Sequence, residues 1–214
     1  MDETAAIARL EACGVIPVVV IEDASRAIDL AHALVAGGID VVEVTLRRPA
    51  GLAALEAIAR SVPGALPVAG TVVTPAQVQQ VKDAGAKAVV SPGFSEAVDE
   101  ALKAAGVPWL PGVATASDCM RAVAAGRTVA KFFPAETAGG TAALKALSGP
   151  FPQMRFCPTG GVGLGNLADY LALPQVICVG GSWLVPADAI ADRDWARVTT
   201  LAREAREKVA ALRP

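Results

Sequence analysis

An α/β fold, a single (β/α)8 TIM barrel spanning residues 1–214, is what this sequence predicts, and three observations predict it. Short apolar, β-branched runs alternate with Ala-rich helical patterns from one end to the other. Eight such pairs follow one another. No shift in composition and no linker divides them. Repeated β-α units imply parallel strands, and eight of them suit closure into a barrel. A chain of 214 residues that is 53% hydrophobic can build one sizeable core. A doubly wound open sheet is the structural alternative, but no G-x-G-x-x-G follows the first strand.

In order, Val15–Val20 (VIPVVV) reads as a strand, followed by a helix over Ser25–Ala36 that stops at Gly37-Gly38. Asp40–Thr45 (DVVEVT) leads to a helix near Leu52–Arg60. Leu66–Gly70 precedes a helix opened by Thr74-Pro75, a capping residue before a proline at the first helical position. Lys87–Ser91 precedes Ser95–Ala105, and Trp109-Leu110 precedes Ser117–Ala125. Thr128–Phe133 leads to Gly140–Leu147, and Arg155–Cys157 to Leu164–Leu171. Gln175–Val179 is the eighth strand, ahead of a long final helix from Asp194 to Leu212.

Composition narrows the function. A net charge of −2 gives no electrostatic footprint for nucleic acid or an anionic membrane. Aromatics at 4% argue against stacking platforms for single strands. MDETAAIARL carries no secretory pattern, and runs such as IPVVVI fall far short of the ~20 residues of a membrane helix. A cytoplasmic protein is expected. Cys13, Cys119, Cys157 and Cys178 lack C-x-x-C spacing and read as reduced, mostly buried thiols. His32, the single histidine, lies in a helical pattern, so no metal site is expected.

Reacting groups of such folds gather where strands end. Lys82, Lys103 and Lys208 belong to helical faces, as does Lys145, and Lys87 starts its strand. Lys131 alone lies late in an apolar strand, on the face of Val129 and Phe133. Either its stem packs while its head reaches solvent, or it is a Schiff-base nucleophile used as the neutral amine. Glu43 is the opposite anomaly, an acid among valines. Either it pairs with a base such as Arg47, or it transfers protons in the interior. Gly-Gly pairs follow the last two strands, in CPTGGVG (Cys157–Gly163) and CVGGSWL (Cys178–Leu184), where backbone N–H groups could cradle a phosphate. Gly70-Thr71 and Ser91-Pro92-Gly93 mark two more strand ends that could line the pocket.

EVTLR (Glu43–Arg47), GTV (Gly70–Val72), SPG (Ser91–Gly93), KFFPAE (Lys131–Glu136), PTGG (Pro158–Gly161) and VGGSWLVPADA (Val179–Ala189) together resemble the 2-keto-3-deoxy-6-phosphogluconate (KDPG) aldolase family, in order and over the whole chain. The resemblance implies a class I aldolase of the Entner–Doudoroff pathway on a small (β/α)8 barrel, a homotrimer that works without metal or other cofactor. It implies cleavage of the phosphorylated keto sugar acid to pyruvate and glyceraldehyde 3-phosphate, and of 4-hydroxy-2-oxoglutarate to pyruvate and glyoxylate. By the same likeness Lys131 forms the Schiff base and Glu43 moves protons. Arg47 and Thr71 hold the pyruvyl carboxylate, and Gly160, Gly161, Gly181 and Ser182 hold the phosphate. Thr159 matches the threonine associated with the gluconate epimer, and Pro92 and Phe133 complete the substrate-binding set. Arg48, Thr74 and PGVAT (Pro111–Thr115) depart from the commoner pattern without removing a reacting group. The alternatives are a galactonate-pathway aldolase and a non-catalytic sugar-phosphate-binding barrel; a metal-dependent epimerase would want several His and Asp ligands at strand ends, and the single helical His32 argues against it.

Overall fold

The computed structural model describes residues 1–213. Helix α1 (Glu3–Cys13) precedes the first strand and was not among the expected elements. Asp2 caps it by accepting from the Ala5 N–H, Gly14 closes it in a left-handed conformation, and Ala6, Ile7, Leu10 and Cys13 form its buried face. Strands and helices then alternate. They are β1 (Val15–Val19), α2 (Ala27–Ala36), β2 (Val41–Thr45), α3 (Ala50–Ser61), β3 (Leu66–Gly70), α4 (Pro75–Asp83) and β4 (Ala88–Val90). Next come α5 (Glu96–Ala105), β5 (Trp109–Leu110), β6 (Gly112–Val113), α6 (Ala116–Ala124), β7 (Val129–Phe132) and α7 (Gly140–Ser148). The chain ends with β8 (Arg155–Pro158), α8 (Leu167–Leu171), β9 (Val179–Gly181), α9 (Ala187–Ala191) and α10 (Trp195–Leu212).

The α/β character stands, but the closed eight-stranded TIM barrel does not. The strands form a six-stranded sheet in the order β5-β4-β3-β2-β1-β9 and a separate three-stranded sheet in the order β6-β7-β8. Every pairing is parallel. The two interruptions have residue-level causes. Pro111 has no N–H to give a ladder, so the fifth run splits: Trp109 and Leu110 pair with β4, while Gly112 and Val113 pair with β7. At the other seam the expected strand Gln175–Val179 does not form as one. Carbonyls of Val176 and Ile177 accept hydrogen bonds from the Arg213 guanidinium, and only isolated bridges at Phe156–Val176 and Thr159–Gly180 connect to β8. The strand that does form, β9, starts at Val179 and pairs with β1.

Strands β1, β2 and β3 are buried along their whole length, as parallel strands with covered faces should be. Their valines belong to one continuous core with helix residues such as Leu55 and Ile58 and with Trp109, Phe132 and Phe156. Against that background the buried polar set is small: Glu43, Thr45, Ser91, Asp99, Arg127, Lys131 and Thr159. All but Asp99 and Arg127 lie in a strand or directly after one. Asp99 and Arg127 pair with each other at 2.6 Å, Arg127 also reaching Glu3 and lying over the Trp109 ring. Among the described residues no helix is long and apolar enough to cross a membrane.

Candidate active site

Lys131 is the third residue of β7, between Gly112 of β6 and Cys157 of β8. Glu43 is the third residue of β2, between Val18 of β1 and Val68 of β3. They belong to different sheets and meet in the interior, with Nζ 3.3 Å from Oε1 and both side chains 3% exposed. The lysine head therefore does not reach solvent, and the partner of Glu43 is Lys131 rather than Arg47. Taking either charge away would leave the other buried alone, which costs about 3–5 kcal/mol.

A glycine makes this meeting possible. A Cβ on Gly70, the last residue of β3, would stand 2.4 Å from Glu43 Oε1 and 2.8 Å from its Cγ. The carboxylate occupies the space that any side chain there would take. Thr71 follows with φ +63°, a conformation that a β-branched residue adopts only under strain of about 1–3 kcal/mol. Its hydroxyl accepts from Arg47 Nε at 3.4 Å, so the two side chains expected to hold a carboxylate already face one another. Arg48 turns to Glu22 at 2.7 Å in an exposed pair. Thr74 caps α4, where Gln77 completes a capping box.

An open cavity of about 150 Å³ is lined by Val18, Val20, Arg47, Phe133, Thr159 and Val162, together with Gly160, Gly161, Gly181 and Ser182. Lys131 Nζ lies 5.2 Å from the centroid of the Phe133 ring. The structure thus gathers Arg47, Phe133, Thr159, Gly160, Gly161, Gly181 and Ser182 around one space, with the Lys131–Glu43 pair beside Phe133. Thr71 is outside that wall and connects to it through Arg47, and Pro92 is set apart altogether. It lines a separate cleft with Val73 and Phe94, while its backbone crowds Gly112, the β6 partner of Lys131. Val18 and Val20 are cavity residues that the sequence reading missed, although VIPVVV places them on one face by simple alternation.

The glycine loop is built to present donors. Gly160 and Gly161 have φ +99° and +79°, open to glycine and strained for other residues. The Gly160 carbonyl accepts from the Glu136 N–H at 3.0 Å and the Gly161 carbonyl from Asn166 Nδ2 at 3.1 Å. In a planar trans peptide the following N–H points the opposite way, so those of Gly161 and Val162 face away from these anchors. Neither N–H finds an acceptor among the described residues. Successive unpaired N–H groups of this kind form an anion-binding concavity.

Three of the thiols are poor nucleophiles: burial pushes Cys119 up to about 11 and raises Cys13, while Cys157 and burial together raise Cys178. Among the described residues no group of three or more His, Cys, Asp and Glu side chains is placed to hold a metal ion.

Residues 6–201 match the family model of KDPG and KHG aldolases. The KHG/KDPG aldolase of Escherichia coli K12 is 50% identical over 193 residues, 90% of this chain and 91% of that one. The 2-dehydro-3-deoxy-phosphogluconate aldolase of Dickeya dadantii is 49% identical over 203 residues, covering 95% of each. Among solved structures, KDPG aldolase from Legionella pneumophila, with pyruvate captured as a covalent carbinolamine intermediate, superposes with a TM-score of 0.90. It shares 47% identity over 92% of this chain and 96% of that one.

Proposed function

The chain belongs to the KDPG and KHG aldolase family and is a carbon–carbon lyase, and from that premise we propose which residues perform each step. The substrates are 2-keto-3-deoxy-6-phosphogluconate, cleaved to pyruvate and glyceraldehyde 3-phosphate, and 4-hydroxy-2-oxoglutarate, cleaved to pyruvate and glyoxylate. One observation carries the reading: a buried lysine in direct contact with a buried glutamate, beside a cavity whose far wall is a glycine loop of free N–H groups.

Lys131 passes a proton to Glu43 across their 3.3 Å contact and attacks the C2 carbonyl as the neutral amine. The protonated Glu43 returns that proton to the carbinolamine hydroxyl, which leaves as water, and an iminium remains. Glu43, again a carboxylate, removes the proton of the C4 hydroxyl. The C3–C4 bond breaks, its electron pair moves through C2 to nitrogen, and the aldehyde departs. The enamine takes the proton from Glu43 at C3, and water hydrolyses the resulting iminium to pyruvate and free Lys131. One carboxyl group can serve every transfer because it touches the nitrogen on which the intermediate is built.

Arg47, with Thr71 aligned on it, takes the pyruvyl carboxylate. The backbone N–H groups of Gly161 and Val162, with Gly181 and Ser182 opposite, take the phosphate. Thr159, wholly inside the cavity wall, meets the sugar hydroxyls and favours the gluconate epimer. The same reading carries a cytoplasmic homotrimer, for which the apolar cleft of Val73, Pro92 and Phe94 offers a contact face. Borohydride reduction in the presence of pyruvate tests the central step. A three-carbon adduct on Lys131 is expected by peptide mass mapping; an adduct on another lysine, or none, refutes it.

A further inference from the structure

Behind the glycine loop, Tyr170 of α8 is fully buried and its hydroxyl donates to Glu136 Oε1, 34 residues away. A buried phenol needs such a partner. Burial, then Glu136, raise the Tyr170 hydroxyl far above its ordinary value, so it stays a donor at any pH where the enzyme works. Glu136 itself lies against the loop. A Cβ on Gly161 would stand 2.5 Å from its Cγ and 2.7 Å from its Cβ, and one on Gly140 would stand 3.5 Å from its Oε1. Its own N–H holds the Gly160 carbonyl, and the Ala135 N–H holds that of Thr159 at 2.8 Å.

This arrangement answers a question that the phosphate reading raises: why a carboxylate sits next to a loop meant for an anion. We propose that Tyr170 and Glu136 are a positioning pair that sets the aim of the Gly161 and Val162 N–H groups and thereby the preference for phosphorylated substrate. Tied to Tyr170, the Glu136 carboxylate is turned away from the cavity while its stem and backbone clamp the loop. Released, the side chain is free to swing toward the anion site, and the Gly160–Gly161 peptide, flanked by two glycines, loses its fixed orientation. The proposal rests on the reading that the substrate phosphate binds this loop.

The test uses the full-length enzyme and three readouts: KDPG cleavage, 4-hydroxy-2-oxoglutarate cleavage, and deuterium exchange into the pyruvate methyl group. Tyr170→Phe should raise the KM for KDPG about tenfold or more, the loss typical of a hydrogen bond to a charged group. Its 4-hydroxy-2-oxoglutarate cleavage and its exchange should stay within about twofold of wild type. Glu136 is itself exposed, so Glu136→Ala opens no cavity, although it leaves the buried Tyr170 hydroxyl without its acceptor, and it should reproduce the same selective loss. Glu136→Gln, whose amide oxygen still accepts from Tyr170, should keep the preference. Equal losses in all three readouts, or unchanged KM for KDPG in both Tyr170→Phe and Glu136→Ala, would overturn the pair. A wild-type enzyme whose KDPG cleavage inorganic phosphate does not inhibit competitively would instead overturn the phosphate site itself.

Discussion

Gly70→Ala is the substitution on which the roles proposed for the Lys131–Glu43 pair can be tested most sharply. The added methyl would stand 2.4, 2.8 and 3.0 Å from Oε1, Cγ and Cδ of Glu43, where ordinary contact begins at 3.4 Å. Something must therefore yield by about 1 Å. The backbone is a poor candidate, because Gly70 pairs with Thr45 on one side and Val90 on the other in the middle of the larger sheet. The Glu43 carboxylate is what remains, and moving it disturbs its 3.3 Å contact with Lys131. Displacement of a reacting group by ~1 Å costs on the order of 10²-fold in rate. Overpacking should also lower stability by about 1–3 kcal/mol. Proton exchange at the pyruvate methyl reads the Glu43 step, and borohydride trapping reads iminium formation on Lys131. Exchange should fall about a hundredfold while trapping persists. A folded Gly70→Ala protein that exchanges at the wild-type rate would refute the claim that this glycine places the carboxylate.

Three further outcomes are expected. Glu43→Gln should still trap pyruvate on Lys131, but more slowly because the group that takes the lysine proton is gone, and should lose ~10² to 10⁴-fold in methyl exchange; near-normal exchange would remove Glu43 as the base. Arg47→Lys keeps the charge but not the planar fork, so the KM for pyruvate in the exchange reaction should rise about tenfold; an unchanged value would exclude Arg47 as the carboxylate clamp. Burial pushes the Asp99 carboxyl up, but hydrogen bonds and charge from Lys103 and Arg127 outweigh it and hold the group below its ordinary value. Its stabilisation is therefore complete above the ordinary carboxylate range and lost as pH falls through the folded value, so urea melts below about pH 4 should show a shallower acid loss for Asp99→Asn than for wild type.

What the sequence disclosed about this site follows from how unusual each residue was in its surroundings. Lys131 and Glu43 stood out because a charge inside an apolar strand needs a reason, and the structure supplies it by pairing them. The glycine pairs after β8 and in β9 stood out because their φ demands or close approaches leave no ordinary side chain room. Gly70 stood out only as a strand end that could line the pocket; that it makes room for the Glu43 carboxylate was hidden, because Glu43 lies on another strand. The division of the strands into two sheets was equally hidden. The missing donor of Pro111 is visible in the chain, but the slip between the Phe156–Val176 and Thr159–Gly180 bridges, and the Arg213 guanidinium that takes the Ile177 carbonyl from 36 residues away, are not. Pro92 was picked out as a strand end, and the cleft it lines with Val73 and Phe94, apart from the glycine loops, could not be read from the chain.

The two glutamates nearest to Lys131 by different measures show why spacing alone misleads. Glu136 is five residues away in the chain, whereas Glu43 is 88 residues away. A rule of proximity in sequence would nominate Glu136 as the base. The strand ends at Phe132, however, and the turn that follows carries Glu136 over Gly161, where Tyr170 takes its carboxylate. Glu43 reaches Lys131 because each is the third residue of its strand, and the strands of the two parallel sheets bring those positions to one level of the interior. The same chemical group is thereby placed twice, once against the Lys131 nitrogen and once behind the loop. Only the burial of its oxygen and the identity of its partner, a lysine in one place and a phenol in the other, separate the two roles.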